Sequence, residues 1–175
     1  VGHRYFPKGE MMGSPVVAGN LVIIGSRDYN LYALDIHQGY CHWNKQYPFG
    51  WAMALTPNDS VVYVGTSDDR LIAALDVATG ATRWSTPTQF NIFGPAAITK
   101  TKGYVGTLMG KLFCIDLRTG NIEWIFVTER YSQNKSRYFN ADDSFRDDIG
   151  KLIKSPIDFI QMKYNVGAFF STPSI

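Results

Sequence analysis

The feature that most constrains the fold is a repeat of about 40 residues. Aspartate, glycine and tryptophan recur in the same order in three segments: Asp35, Gly39 and Trp43; Asp76, Gly80 and Trp84; and Asp116, Gly120 and Trp124. Successive copies of each residue are separated by 41 and then by 40 positions. A fixed period of this length is typical of proteins built from stacked supersecondary units.

Each repeat contains four short runs with the composition of β-strands. In the first repeat these runs are 14–18, 21–25, 31–35 and 40–44, with glycine-containing turns between the first pair and the last pair. Four strands in about 40 residues form the blade of a β-propeller. We therefore predict an all-β protein of four-stranded antiparallel blades at about 13–46, 51–86 and 94–126, with the start of a further blade at 168–175.

The nine repeated residues have structural explanations. The aspartate can accept backbone N–H groups in the turn after the third strand, and the glycine supplies a positive φ in that turn. The tryptophan follows on the outermost strand, where its ring can cover the gap to the next sheet and its N–H can reach a backbone acceptor. We expect these residues to hold blades together and to have no catalytic role.

The composition and net charge of the chain exclude several other classes of protein. The 175 residues carry 17 basic and 15 acidic side chains, a net charge of +2, so nothing indicates a nucleic-acid partner. No apolar run approaches the ~18 residues that a membrane helix needs. The two cysteines, Cys41 and Cys114, are too few for a disulfide scaffold or a zinc site.

Residues 71–84 best carry the motif apolar-x-Ala-Leu-Asp-x-x-Thr-Gly-x-x-x-Trp, and blades open with segments such as Gly13–Val17. This pattern resembles the repeats of the PQQ-like (quinoprotein-type) β-propeller superfamily. In the dehydrogenases of that superfamily, the resemblance implies a quinone on the propeller axis, a calcium ion, a catalytic aspartate and often two adjacent cysteines. This sequence has no adjacent cysteines, and each repeat-phased aspartate has a turn role.

We therefore expect a non-catalytic binding or scaffold propeller that needs no cofactor and acts through its loop faces and insertion. The alternative is part of a pyrroloquinoline-quinone-dependent dehydrogenase, with calcium, whose active-site residues lie mostly outside this chain. A third possibility is an open arc that dimerises through its exposed sheet edge, as in the ectodomains of stress sensors. The resemblance suggests a periplasmic or secreted location, which the residues themselves do not indicate.

One segment, about 127–167, interrupts the repeat. It carries seven basic and six acidic side chains together with six aromatic ones, so we expect it to fold against the propeller or a partner. We predict a short helix over Phe145–Lys154 with Ser144 as its N-cap. The acidic pairs 142–143 and 147–148 lack the spacing of a calcium loop, and we interpret them as solvated charge and helix caps.

The loops between the second and third strands should gather at one face of the ring. With two aromatic residues near innermost strands, they form a candidate recognition face of six residues: Arg27, Tyr29, Trp51, Arg70, Phe93 and Met109. The competing interpretation is that Arg27 pairs with Asp28, and Arg70 with Asp68 or Asp69, as ordinary surface ion pairs.

The length accommodates three blades and one further strand once the insertion is set aside. Propellers typically need 4 to 8 blades to close. We therefore predict an incomplete ring, whose open edges would meet remaining blades of the same propeller, another protein or a second copy of the chain.

Overall fold

The protein consists mainly of antiparallel β-sheet. The computed structural model describes residues 8–171 and 173, and within them three four-stranded sheets form, each paired in chain order. We call them blades 1, 2 and 3.

Blade 1 contains β1 (Met11–Ala18), β2 (Leu21–Ser26), β3 (Asn30–Asp35) and β4 (Cys41–Gln46). Blade 2 contains β5 (Ala52–Asn58), β6 (Val61–Thr66), β7 (Leu71–Asp76) and β8 (Thr82–Pro87). Blade 3 contains β9 (Ala97–Ile98), β10 (Lys102–Gly106), β11 (Lys111–Asp116) and β12 (Ile122–Val127).

The hydrophobic core lies between neighbouring blades. One cluster joins blades 1 and 2 through residues that include Ile23, Ala33, Val62, Val64 and Leu75. A second joins blades 2 and 3 through Ala54, Ile72, Val105, Phe113 and Ile115. Blade 2 is thus covered on both faces, which explains why β6 is a continuous apolar run and not an alternating one. The four-stranded antiparallel blades are confirmed, and the three do not close into a ring over the described residues.

The aspartate of each repeat organises the turn that follows the third strand of its blade. In blade 2, Asp76 Oδ1 accepts hydrogen bonds from the backbone N–H groups of Ala78 and Thr79, at 3.1 Å each. The N–H of Gly80 donates to the carbonyl of Asp76 at 2.8 Å, with φ of +71° at the glycine. The same bonds recur around Asp35 and Asp116, with their own glycines also at positive φ.

The tryptophans of blades 1 and 2 bridge to the following blade. Trp43 Nε1 donates to the carbonyl of Val77 at 2.9 Å, and Trp84 Nε1 donates to that of Leu117 at 2.9 Å. Each ring lies against the next repeat's glycine: a Cβ added at Gly80 would meet Trp43 at 2.7 Å, and one at Gly120 would meet Trp84 at 2.7 Å. The glycine therefore serves both the turn and the contact between blades.

This double role predicts unequal effects for the same substitution. Gly39→Ala and Gly80→Ala both place a side chain at φ +71°, but only Gly80 lies under a tryptophan ring. We expect Gly39→Ala to cost about 1–2 kcal/mol for the backbone conformation, and Gly80→Ala to cost about 1–3 kcal/mol more, because the ring must move. Urea unfolding measures the loss of unfolding free energy in both variants. Equal losses would contradict the contact between Gly80 and the Trp43 ring.

Blade 3 lacks this cover among the described residues. All six residues of β12 are exposed, and Trp124 is 46% exposed with Tyr104 beside it at 5.9 Å between ring centroids. Its exposed apolar side chains also include Ile122 and Phe126. Blade 3 therefore presents to solvent the face that blades 1 and 2 cover with the next sheet.

The insertion folds into two α-helices, and neither is the predicted one. They are α1 (Glu129–Tyr138) and α2 (Pro156–Asn165). The predicted helix at Phe145–Lys154 is wrong, since only a 3₁₀ turn at Ile149–Lys151 forms there. Ser144 caps no helix because its N–H and hydroxyl both bond to Asp142 in a tight loop, which a bridge between Phe139 and Phe145 closes.

The chain returns to the blade arrangement after α2. The N–H of Phe169 donates to the carbonyl of Thr107 at 3.0 Å, as the N–H of Ile92 donates to Thr66 at 3.0 Å before blade 3. Phe169 also packs beside Gly106 as Ile92 packs beside Gly65. The further blade at 168–175 stays a prediction, because residues 172, 174 and 175 lie outside the described residues and no strand forms in the rest.

Candidate functional site

The predicted recognition face is the edge of the blades that carries the loops between their second and third strands. The loops of blades 1 and 2 are accessible, with Tyr29 41% exposed at φ +66° and Arg70 exposed at φ +53°. The loop of blade 3 is not, since the insertion folds over it. Met109 is only 2% exposed and packs with Tyr131 and Met162 of the insertion, so its assignment to an exposed surface is corrected.

Arg27 does not form the ion pair with Asp28 that sequence reasoning offered as an alternative. Its guanidinium bonds to Glu10 at 2.8 Å and lies 5.0 Å from the centre of the Trp51 ring. Asp28 instead accepts from the N–H and side-chain amide of Asn30. Arg27 and Trp51, two members of the candidate face, therefore contact each other directly.

Arg70 is free of both predicted acidic partners. Asp69 is held by the N–H groups of Phe49 and Gly50, at 3.2 and 2.7 Å, and Asp68 accepts from the side-chain amide of Asn91 at 3.0 Å. No ion pair to Arg70 forms within residues 8–171 and 173. The guanidinium is therefore available to a ligand.

A cleft opens between the loops of blades 2 and 3 and the insertion. Its volume is about 350 Å³. It is lined from the predicted face by Trp51, Arg70, Phe93 and the buried Met109, and from the insertion by Phe145, Phe159 and Lys163. We call this space the insertion cleft. The structure thus brings four of the six predicted recognition residues to one cavity, while Arg27 reaches it only through Trp51.

Lys163 supplies a second cation at the insertion cleft. Its ammonium lies 4.5 Å from the centre of the Phe159 ring, and no carboxylate pairs with it in the described part of the chain. Burial lowers the pKa of this lysine. The cleft therefore combines aromatic walls with two cations that have no acidic partner within the described ranges, 8–171 and 173.

A cluster of charged groups fastens the insertion to blade 3. Lys111, at the start of β11, is 6% exposed and bonds to Asp143 at 2.5 Å. Asp143 also pairs with Lys135 at 2.6 Å and accepts the hydroxyl of Tyr131. The Lys111 ammonium lies over the rings of Phe90 and Tyr131 as well, at 5.5 and 5.4 Å. Because α1 and the loop at Asp143 both belong to the insertion, these bonds tie α1 and the loop that leads to Phe145 to blade 3.

The environment of this cluster favours an ionised Asp143. Burial opposes its charge, but the bonds from Lys111, Lys135 and Tyr131 outweigh that penalty and lower the pKa of Asp143 to about 2. Burial, with the carboxylate beside it, raises the pKa of Tyr131. The cluster therefore consists of one carboxylate, two ammonium groups and a neutral phenol at pH 7.

The described residues offer little for metal or thiol chemistry. No group of three or more His, Cys, Asp or Glu side chains that could hold a metal ion occurs among residues 8–171 and 173. Burial raises the pKa of both thiols, Cys41 and Cys114, which are free and lie on different blades. Nor is any described helix long and apolar enough to cross a bilayer.

Comparison with known proteins identifies the family. Residues 6–145 match the PQQ-like family model described as outer membrane protein assembly factor BamB. The chain belongs to this family. A curated BamB from Nitrosomonas eutropha is 26% identical over 126 residues, which are 69% of this chain and 30% of that protein. The chain thus spans about a third of the length of this BamB relative.

Solved structures agree with the family and confirm the propeller fold. BamB from Moraxella catarrhalis matches with a TM-score of 0.60 and 25% identity, over 69% of this chain and 39% of that one. Quinohemoprotein alcohol dehydrogenase from Comamonas testosteroni matches with a TM-score of 0.60 at 20% identity, over 80% of this chain and 23% of that one. The second likeness shows the fold alone. Membership of the PQQ-like propeller superfamily is therefore established.

The sequence predicts that the insertion takes part in recognition, but it does not indicate which residues of the insertion line the site. Sequence reasoning found the aromatic residues there but assigned no binding role to Phe145, Phe159 or Lys163. Their contribution depends on how the insertion folds back over blade 3, which no local pattern encodes. The one available signal was Lys111, a charged residue that opens a strand where the first two repeats have leucine, at positions 31 and 71.

Proposed function

We propose that the chain is a non-catalytic scaffold propeller that holds a protein partner through its loop face. The BamB relatives are named as outer membrane protein assembly factors, which supports a protein-binding role of that kind and an extracytoplasmic location. Because the chain spans only part of those relatives, the assembly role and the periplasmic location are part of the proposal.

The observation that carries the proposal is the chemistry of the loop face. Tyr29 is exposed in the turn between β2 and β3. Arg70 and Phe93 line the insertion cleft, and Arg70 has no acidic partner within residues 8–171 and 173. Aromatic and arginine side chains are the residues that most often anchor protein interfaces. The repeat-phased aspartates, in contrast, each use Oδ1 to accept backbone N–H groups of the turn. Oδ2 of each lies within 3.7 Å of a basic side chain of the same blade.

The dehydrogenase alternative is supported only by likeness of fold to quinoprotein enzymes. A quinone of this class needs a cation beside it, and the described part of the chain assembles no carboxylate cluster to hold one. The described residues therefore offer no site for that cation, and the binding role is the better supported of the two.

The proposal is tested by co-purification of the protein, expressed from its own gene, with its partners. Replacing Tyr29 and Phe93 together by serine should reduce partner recovery about tenfold or more, as expected when interface anchors are lost. A double variant on the opposite edge, His37→Ser with Arg118→Ser, is the control and should recover the partner normally. Equal recovery from both variants would exclude the loop face as the binding surface.

A further inference from the structure

We propose that the insertion cleft binds a short peptide segment in which a carboxylate side chain lies next to an aromatic or large aliphatic one. The inference rests on the proposed function and names the chemistry of the partner segment. It concerns a cavity that the repeat alone does not create, since Phe145, Phe159 and Lys163 all come from the insertion.

Charge complementarity selects the carboxylate. Arg70 approaches from the blade 2 loop and Lys163 from α2, and neither has an acidic partner among the described residues. The acidic residue that lines the cleft, Asp68, is already held by Asn91 at 3.0 Å. A ligand carboxylate would receive charge-assisted hydrogen bonds from the two cations, which are stronger than neutral ones.

The walls select an apolar side chain beside that carboxylate. Four aromatic side chains line the cavity, Trp51 and Phe93 from the propeller and Phe145 and Phe159 from the insertion. A volume of about 350 Å³ is near the lower end of the range of ligand pockets. It suits one or two side chains of an extended segment and is too small for a folded domain.

The cleft is also held in shape before any ligand arrives. Lys111 and Lys135 clamp Asp143 at 2.5 and 2.6 Å, and this ties the loop that carries Phe145 to blade 3. Phe139 and Phe145 form a β-bridge, and their rings stack with centroids 5.2 Å apart. These contacts hold the Phe145 ring in the aromatic wall. A rigid site loses less conformational entropy on binding, so a short segment can bind measurably.

The test measures binding of short labelled glycine–serine peptides to the protein by fluorescence anisotropy. The central pair is aspartate–phenylalanine in the probe, and asparagine–phenylalanine, aspartate–serine or lysine–phenylalanine in the comparison peptides. We expect the aspartate–phenylalanine probe to bind about tenfold more tightly than each of the others, because a hydrogen bond to a charged group and a buried ring each contribute about that factor.

Two variants connect the preference to the cleft. Arg70→Gln and Lys163→Gln should each weaken binding of the aspartate probe about tenfold and leave the asparagine peptide unchanged, which a merely structural effect would not do. Arg118→Gln, an exposed arginine at the opposite edge, is the matched control and should bind like the parent protein.

The inference is overturned if the aspartate and asparagine peptides bind equally, if no peptide binds, or if both cleft variants keep the preference. Such results leave the proposed function standing when partner recovery still depends on Tyr29 and Phe93. Conversely, the cleft could prefer the aspartate probe while the substitutions at Tyr29 and Phe93 leave partner recovery unchanged. That result would support the inference and contradict the proposed role of the loop face.

Discussion

Trp84→Ala is expected to lower the free energy of unfolding by about 3 kcal/mol, near the lower end of the range for aromatic truncations in cores. The substitution removes a ring that packs on Gly120 and contacts Tyr63 at 5.9 Å between centroids. It also leaves the carbonyl of Leu117 without the N–H that it accepts at 2.9 Å. Urea unfolding followed by circular dichroism measures the loss.

The matched control is Trp124→Ala, which removes the same residue at the same repeat position. Trp124 is 46% exposed and its N–H reaches no acceptor among the described residues. We expect this variant to lose less than about 1 kcal/mol, because most of the ring's contact with a following blade is missing. Equal losses for the two variants would show that the tryptophan acts within its own blade.

Asp143→Asn is expected to destabilise the protein by about 3 kcal/mol at pH 7, because it leaves the buried Lys111 ammonium without an anion. Asparagine tolerates the φ of +66° at this position, so the backbone is not the cause. Asp142→Asn, the adjacent residue, is the control. It is exposed and accepts hydrogen bonds from the N–H and hydroxyl of Ser144, and asparagine can still accept those bonds, so its loss should stay below about 1 kcal/mol.

The same carboxylate predicts a pH dependence. Its pKa is lowered in the folded protein from 3.8 to about 2. The stability that it contributes is therefore complete above about pH 4 and is lost as the pH falls towards 2, an amount of about 2 kcal/mol. The parent protein and Asp143→Asn should differ less in free energy of unfolding at pH 2 than at pH 5, by this amount, when both are unfolded in urea. A constant difference would contradict the ionised cluster.

The blades could be predicted from sequence because each repeated residue acts locally or on the adjacent repeat. Asp76 and Gly80 lie in one turn, and the tryptophan that covers Gly80 is one repeat away at Trp43. Such contacts recur at the period of the chain, since the described residues show the turn three times and the contact between tryptophan and glycine twice. The repeat therefore indicated the turns, the order of the strands and an incomplete ring.

The fold of the insertion was harder to predict than that of the blades, because the insertion occurs only once in the sequence. Its charged residues also have different roles, in a helix cap and in loop ion pairs. The true start of α2 carried a signal, since Ser155 and Asp158 form a capping box with Pro156 between them. The acidic residues 147–148 suggested the wrong helix, because Asp148 pairs with Arg146 in a loop. Met109 was misplaced because only the folded insertion buries it.

Binding of a partner at the loop face can be detected by site-specific photo-crosslinking in the protein's own cells. A photoreactive phenylalanine analogue would replace Tyr29 or Phe93 on the loop face, and His37 or Arg118 on the opposite edge. We expect both loop-face positions to give an adduct with the same partner and neither control position to do so. Adducts formed only at His37 or Arg118 would contradict binding at the loop face.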